Sequence, residues 1–158
     1  MGAISGLETL SSRRKNDRPL VYPARLDAEE DGGYVVTFPD FGIGVTQGDN
    51  REEALAQAAD LLETMVANYV AEGWNLPETS PARGRPLVRL APLVAAKAEL
   101  FRATQCAGID KAELARRLGI APKDVERLFS IHHKTRLDQL EAALAVLGRR
   151  LVVSIEPA

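Results

Sequence analysis

The stretch Gly108-Ile-Asp-Lys-Ala-Glu-Leu-Ala-Arg-Arg-Leu-Gly-Ile-Ala-Pro-Lys-Asp-Val-Glu-Arg-Leu-Phe129 constrains this chain most, because it reads as two short helices joined by a tight turn. Asp110 as N-cap and Glu113 three residues on form a reciprocal capping pair. Leu114, Ala115 and Leu118 fall on one face, and Gly119 sits where a left-handed residue ends a helix without a Cβ penalty. Pro122 suits the first position of the second helix, where its missing N–H costs nothing. Val125, Leu128 and Phe129 then turn inward while Lys123, Asp124 and Arg127 share the outer face. A helix-turn-helix lays the N-terminal part of its second helix in the major groove of DNA, which makes Pro122, Lys123, Asp124 and Arg127 the candidate readers. A small helical bundle with a glycine turn would show the same local pattern.

The residues on either side of this stretch favour a complete domain. His132-His133-Lys134-Thr135-Arg136-Leu137-Asp138 leads into Leu140, Leu144 and Leu147 at helical spacing, with Gly148 as terminator and Thr135 as the expected cap. Upstream, Pro92 to Cys106 supplies a preceding helix with Leu93, Ala96, Leu100 and Phe101 along its apolar stripe. Lys111 and Lys134 are candidate phosphate contacts; His132, His133 and Thr135 lie in the loop after the second helix and suit phosphate contact or capping. The two histidines are adjacent, so their side chains point apart, and no third ligand is near; no metal site is expected. The single cysteine, Cys106, excludes an internal disulfide framework and reads as a buried structural thiol.

Charge divides the chain of 158 residues. Residues 19 to 91 carry a formal charge of −7, residues 92 to 158 carry +3 and the first 18 carry +2, for a total of −2. A mildly basic half suits phosphates, whereas an acidic half suits a basic partner. The 46% hydrophobic content is enough for a packed core. No run approaches the roughly 18 apolar residues of a membrane span, and no secretion signal is visible, so a cytoplasmic location is expected. Residues 1 to 18 read as a flexible extension.

The acidic half reads as an antiparallel meander and one long helix. Leu20 to Asp27 suits a strand, Asp31-Gly32-Gly33 a hairpin turn, Tyr34 to Phe38 the returning strand, and Gly42 to Gly48 a third short one. Asn50 with Glu53 caps a helix whose Ala54, Leu55, Ala58, Leu61, Leu62, Met65, Val66 and Tyr69 lie on one face, ending at Gly73. Trp74 anchors the chain beyond it. Pro77 to Pro86 is a linker or loop, and Pro86 to Leu90 a last strand. Leu151 to Ile155 suits a further short strand, either at an internal edge or paired across a dimer.

The order Tyr22-Pro23, Asp31-Gly-Gly-Tyr-Val-Val-Thr-Phe-Pro-Asp40, Val45-Thr-Gln-Gly-Asp49, Glu52-Glu-Ala54, Glu72-Gly-Trp-Asn-Leu-Pro77 and Leu90-Ala-Pro-Leu-Val94, then the helix pair, Lys134-Thr-Arg-Leu-Asp138 and Leu147-Gly-Arg-Arg-Leu151, resembles the HicB family of bacterial antitoxins, in the form with a C-terminal helix-turn-helix domain. The resemblance covers residues 20 to 153. It departs at Phe41-Gly42-Ile43-Gly44, where Pro-Gly-Cys is more usual, and at Ala121, where a Ser often caps the second helix. The latter weakens that helix start by about 1 kcal/mol.

The resemblance implies an α+β fold: an N-terminal antiparallel sheet with one long helix, like a degraded ribonuclease H domain, over residues 19–90. It places an all-α DNA-binding domain over 91–148 and a tail over 149–158. It implies that the first domain masks a small mRNA-cleaving toxin of the HicA type and that the second represses the operon. A toxin that cuts RNA presents a basic face, which an acidic domain can occupy. Tyr34, Phe38, Asp40 and Phe41, with the exposed acids of the 51–72 helix, are the candidate toxin-binding residues, although core packing explains Phe38 equally well. A single helix-turn-helix reads few base pairs, so a homodimer or higher homo-oligomer on operator DNA is expected. Cofactors are not expected. Nuclease activity is disfavoured, since only Asp27 and Asp40 sit near strand ends and two-metal hydrolysis needs several converging carboxylates. A stand-alone regulator with a sensing N-terminal domain is the alternative.

Overall fold

A computed structural model describes residues 18–158; the expectation of a flexible leader lies outside the described residues but for Arg18. The element order is β1 (Val21–Pro23), β2 (Arg25–Ala28), β3 (Tyr34–Thr37), β4 (Val45–Gly48), α1 (Arg51–Glu72), β5 (Leu87–Arg89), α2 (Pro92–Ala107), α3 (Lys111–Leu118), α4 (Pro122–Phe129) and α5 (Leu137–Val146). This is an α+β fold with its sheets first and its helices last. Among the described residues no helix is long and apolar enough to cross a membrane. The chain forms two compact units: residues up to 65 with Pro77–Leu90, and Val66–Leu76 with Ala91–Ala158.

In the first unit the expected single strand over 20–27 is two. β1 pairs antiparallel with β5, while β2, β3 and β4 form a separate meander in the order β2-β3-β4. The break falls at Pro23-Ala24, where proline has no N–H to continue a ladder. The Ala24 N–H instead donates to the Pro86 carbonyl at 2.9 Å. The hairpin turns where the glycines require it, with Gly32 at φ 97° and the Glu29 N–H donating to the Gly33 carbonyl at 2.8 Å.

Alternation along β3 sends Val36 inward, and Phe38 just beyond it is buried as well. Phe38 and Phe41 are both core residues, and their rings form one aromatic cluster with Tyr22, centroids 4.8 Å apart for Tyr22–Phe41 and 6.4 Å for Phe38–Phe41. The buried side of α1 in this unit is Ala54, Ala58, Leu62 and Met65. Its N-terminus is capped as the sequence predicts by Asn50 Oδ1, which accepts from the Glu53 N–H at 2.9 Å, while Glu53 reaches back to the Asp49 N–H. The 77–86 segment is a fastened loop. Tyr22 Oη donates to the Pro77 carbonyl at 2.8 Å, Asp40 Oδ2 accepts from the Ser80 N–H at 3.0 Å, and the Arg85 guanidinium donates to the Ala82 and Pro81 carbonyls.

In the second unit α2 packs on α4 and α5, and α3 on both. The buried stripe of α2 runs Val94, Lys97, Ala98, Leu100, Phe101 and Thr104, not through Leu93 and Ala96 as expected from apolar spacing. Cys106 falls off that stripe, so the thiol is exposed, contrary to the expectation of a buried one. Thr135 does not cap α5 either. The helix starts one residue later, with Arg136 as N-cap and its N–H donating to Gln139 Oε1 at 3.2 Å. Leu151 to Ile155 forms no strand within the chain, which removes the internal-edge reading. Trp74 packs edge-on against Tyr69 at 5.5 Å, half of its surface left in solvent, as an anchor past the end of α1.

The tightest approach in the first unit lies where the end of β4 meets the first turn of α1. A Cβ on Gly48 would stand 2.7 Å from Ala54 Cα and closer still to its nitrogen, and both neighbours are backbone atoms that cannot swing away. Gly48→Ala is expected to lower stability by about 1–3 kcal/mol through overpacking, read as a fall in the urea midpoint at unchanged slope.

Candidate nucleic-acid interface

α3 and α4 are eight residues each, and only Gly119-Ile120-Ala121 separates them. Asp110 Oδ1 accepts from the Glu113 N–H at 2.8 Å and starts α3; Gly119, left-handed at φ 65°, ends it. The reciprocal half of the expected capping pair is absent, because the Glu113 carboxylate turns to Arg116 (2.6 Å) and Arg117 (2.9 Å). Those two guanidiniums hold the half-buried Glu113 carboxyl down at about 2. α4 begins with Pro122, and its N-cap, Ala121, offers no side-chain hydrogen bond, as its residue type dictates. Val125, Leu128 and Phe129 are buried, with Phe129 edge-on to Phe101 at 6.2 Å.

The outer face of α4 is the expected one. Pro122, Lys123 and Arg127 are exposed and Asp124 is half-buried. Asp124 Oδ1 accepts from Arg127 Nη1 at 3.2 Å, an i,i+3 pair that aims the guanidinium along the helix. His132, His133 and Lys134 are exposed in the loop that comes next. The Thr135 hydroxyl reaches back to the Arg127 and His133 carbonyls, both at 3.5 Å, which ties the loop to the end of α4. Lys111 is placed differently from a free phosphate contact. Its ammonium sits on the Glu126 carboxylate at 3.0 Å and over the Phe129 ring at 5.6 Å, where it bridges α3 to α4.

The residue that organises this face is one that sequence reasoning passes over. Lys97 is fully buried, and its Nζ donates to the carbonyls of Arg127 (3.0 Å), Ser130 (2.6 Å) and His133 (2.6 Å). Burial pushes its pKa below the ordinary lysine value. Three N–H donors meet three acceptors at the C-terminal end of α4, where a helix carries partial negative charge. The visible signal is a lysine at an i, i+3, i+4, i+7 core position, between Val94 and Phe101.

Of the candidate docking residues in the first unit, Phe38 and Phe41 are core and Asp40 is engaged with the Ser80 N–H. Tyr34 is half-buried on β3, opposite Gly48. Beside that pair lies a cleft of about 160 Å³ lined by Glu29, Asp31, Gly33, Gln47, Gly48 and Asp49, three of them acidic. Asp27, the other acid near a strand end, is paired with Arg25 at 3.0 Å.

An acidic sheet unit and a helical unit with a cationic outer face make up a two-part α+β protein. The family model described as the HicB-like antitoxin of bacterial toxin-antitoxin systems matches residues 21–99. Antitoxin HicB 1 of Photorhabdus laumondii subsp. laumondii is 36% identical over 135 residues, 85% of this chain and 86% of that protein. Antitoxin HicB of Escherichia coli K12 is 36% identical over 131 residues, 82% of this chain and 95% of that protein. Antitoxin HicB of Pseudomonas fluorescens Pf0-1 is 39% identical over 113 residues, 70% of this chain and 77% of that protein. The chain belongs to the HicB antitoxin family.

Lys97→Met keeps the apolar stem but leaves the carbonyls of Arg127, Ser130 and His133 without their buried donor. A loss of about 2–4 kcal/mol is expected, measured by urea denaturation; an unchanged midpoint would mean water replaces the ammonium at no cost.

Proposed function

We propose that this chain neutralises a small mRNA-cleaving toxin of the HicA type through its sheet unit and represses its own operon by binding operator DNA through α3 and α4. The reading rests above all on the family match, which reaches both units, because the relatives named antitoxin align over most of the chain. The α3–α4 pair has the form of a helix-turn-helix, and α4 is the helix that enters the major groove. Lys123 and Arg127 meet base edges or phosphates there, Asp124 orients Arg127, and Pro122 opens the helix. Lys134, His132 and His133 contact phosphate from the next loop, with Thr135 fixing that loop. Lys111 supports the helix pair through Glu126. Operator binding is dimeric or of higher order, since two half-sites about 34 Å apart convert weak contacts into useful affinity.

The toxin docks on the acidic side of the first unit. Tyr34 stands beside the cleft carboxylates Glu29, Asp31 and Asp49, and together they offer a basic RNA-binding face an anionic substitute for its substrate. Phe38, Phe41 and Asp40 act from beneath, by holding β3 and the 77–86 loop. The protein works by binding, without catalysis or a cofactor, in the cytoplasm where operator and messenger RNA are found.

Co-expression with the product of the neighbouring short reading frame tests the first half. The expected result is that the neighbour alone arrests growth, that this chain restores growth, and that the two co-purify. No arrest and no complex would move the assignment to a solitary regulator. For the second half, Arg127→Ala and Lys123→Ala are each expected to cost about 1–3 kcal/mol on operator DNA and much less on random DNA. Equal losses on both would restrict these side chains to phosphates.

A further inference from the structure

Contact with phosphate cannot explain one acid on the outer face of α4. Glu126 follows Lys123 by three residues and precedes Arg127, so it shares their outward side, and its side chain is 63% exposed. Its neighbour Asp124 is half-buried and engaged with Arg127. A carboxylate brought against DNA is repelled by the phosphates, which weakens binding to every sequence alike. The fold offsets that repulsion. Lys111, the first residue of α3, donates to both Glu126 oxygens, at 3.1 Å and 3.0 Å, and its ammonium lies over the Phe129 ring at 5.6 Å. As a strut alone, an ion pair this exposed adds little to stability.

We propose that Glu126 reads a base of the operator, and that the base is cytosine. This rests on the reading of α4 as the helix in the major groove and specifies what it recognises there. A carboxylate has acceptors and no donor. Only two bases offer a donor in that groove, cytosine through its N4 amine and adenine through its N6 amine. Guanine N7 and O6, and thymine O4, are acceptors and repel it. Adenine also places N7 beside its amine, so the second carboxylate oxygen meets a lone pair, whereas within cytosine the neighbour of the amine on that edge is a C–H. The order of preference is therefore cytosine, then adenine, with guanine and thymine rejected.

The arrangement gives α4 readers of both kinds. Lys123 and Arg127 present donors, which suit guanine, and Glu126 presents an acceptor between them. A carboxylate has about four lone-pair sites, so two bonds from Lys111 leave room for an amine. Held from α3 in advance, the side chain loses less freedom when it meets the base. Its effect on discrimination exceeds its effect on affinity, because attraction to cytosine is set against repulsion from the phosphates and from the wrong bases.

The test uses the full chain to select binding sites from a library of random duplexes, with affinities then measured on the selected site and on its point variants. The wild-type site should contain a position in each half where cytosine is preferred over guanine and thymine by roughly tenfold or more. Glu126→Ala should erase the preference at that position alone. It should also raise affinity for unselected DNA by roughly threefold, as one negative charge leaves the phosphates. Glu126→Gln, whose amide both donates and accepts, should move the preference from cytosine to adenine. Melting of both variants should stay close to wild type, since the side chain is exposed. A selected site that is the same for wild type and both variants makes Glu126 a strut, which overturns the proposal and leaves α4 as the reading helix. A preference for guanine or thymine at the position that responds overturns it equally. A wild-type chain that selects no site overturns the DNA-binding reading together with the proposal.

Discussion

The buried ammonium of Lys97 is the contact on which the geometry of α4 and the loop after it depends. α4 is only two turns long, too short to hold its shape by backbone bonding alone, and its Ala121 cap adds nothing at the start. Packing of Val125, Leu128 and Phe129 fixes one side; Lys97 fixes the end. Because its three donors reach into α4, the turn after it and the His132-His133 loop, a single side chain sets the position of the outward residues from Arg127 to Thr135. Removing a cation from water is costly, and here three carbonyls at a helix C-terminus offset that cost. A neutral amine has only two N–H donors, so the three-acceptor set favours the charged form against the depression that burial imposes.

The sheet unit solves a different problem: two small sheets with little area must still hold loops in place. Polar side chains fasten the chain at points where the sheet cannot. Tyr22 is buried up to its hydroxyl, which donates to the Pro77 carbonyl, and Asp40 clasps the same loop through Ser80. Phe38, Phe41 and Asp40 therefore position β3 and its surroundings. The acids best placed to face a partner lie round the cleft between the β2–β3 turn and the end of β4. The formal charges of −7 and +3 on the two halves thus give them surfaces of opposite character, in keeping with the proposed division of roles.

Local rules explain what could be read directly. Asn50 and Asp110 cap the helices they precede, Gly119 and Gly148 end theirs in the left-handed conformation, and Pro122 opens α4. The outer face of α4 arises from a 3.6-residue period and needs no knowledge of its neighbours. Where the reading failed, a competing partner had won. Arg116 and Arg117 drew Glu113 away from its capping role, and Thr135 closed the loop onto α4 instead of starting α5.

The sequence by itself determined the α+β order, the helix ends, the division of charge and the candidate reading face, because each arises from residues within one or two turns of each other or from simple counts. Only the tertiary structure decided that the first strand divides between two sheets, that Phe38 and Phe41 are core, that Cys106 is exposed and that Lys97 is not. The decisive contacts join residues 30 or more positions apart, such as Lys97 with Arg127 and Tyr22 with Pro77. A polar residue at an apolar position carries no sign of whether it will find its acceptors until the chain has folded round it.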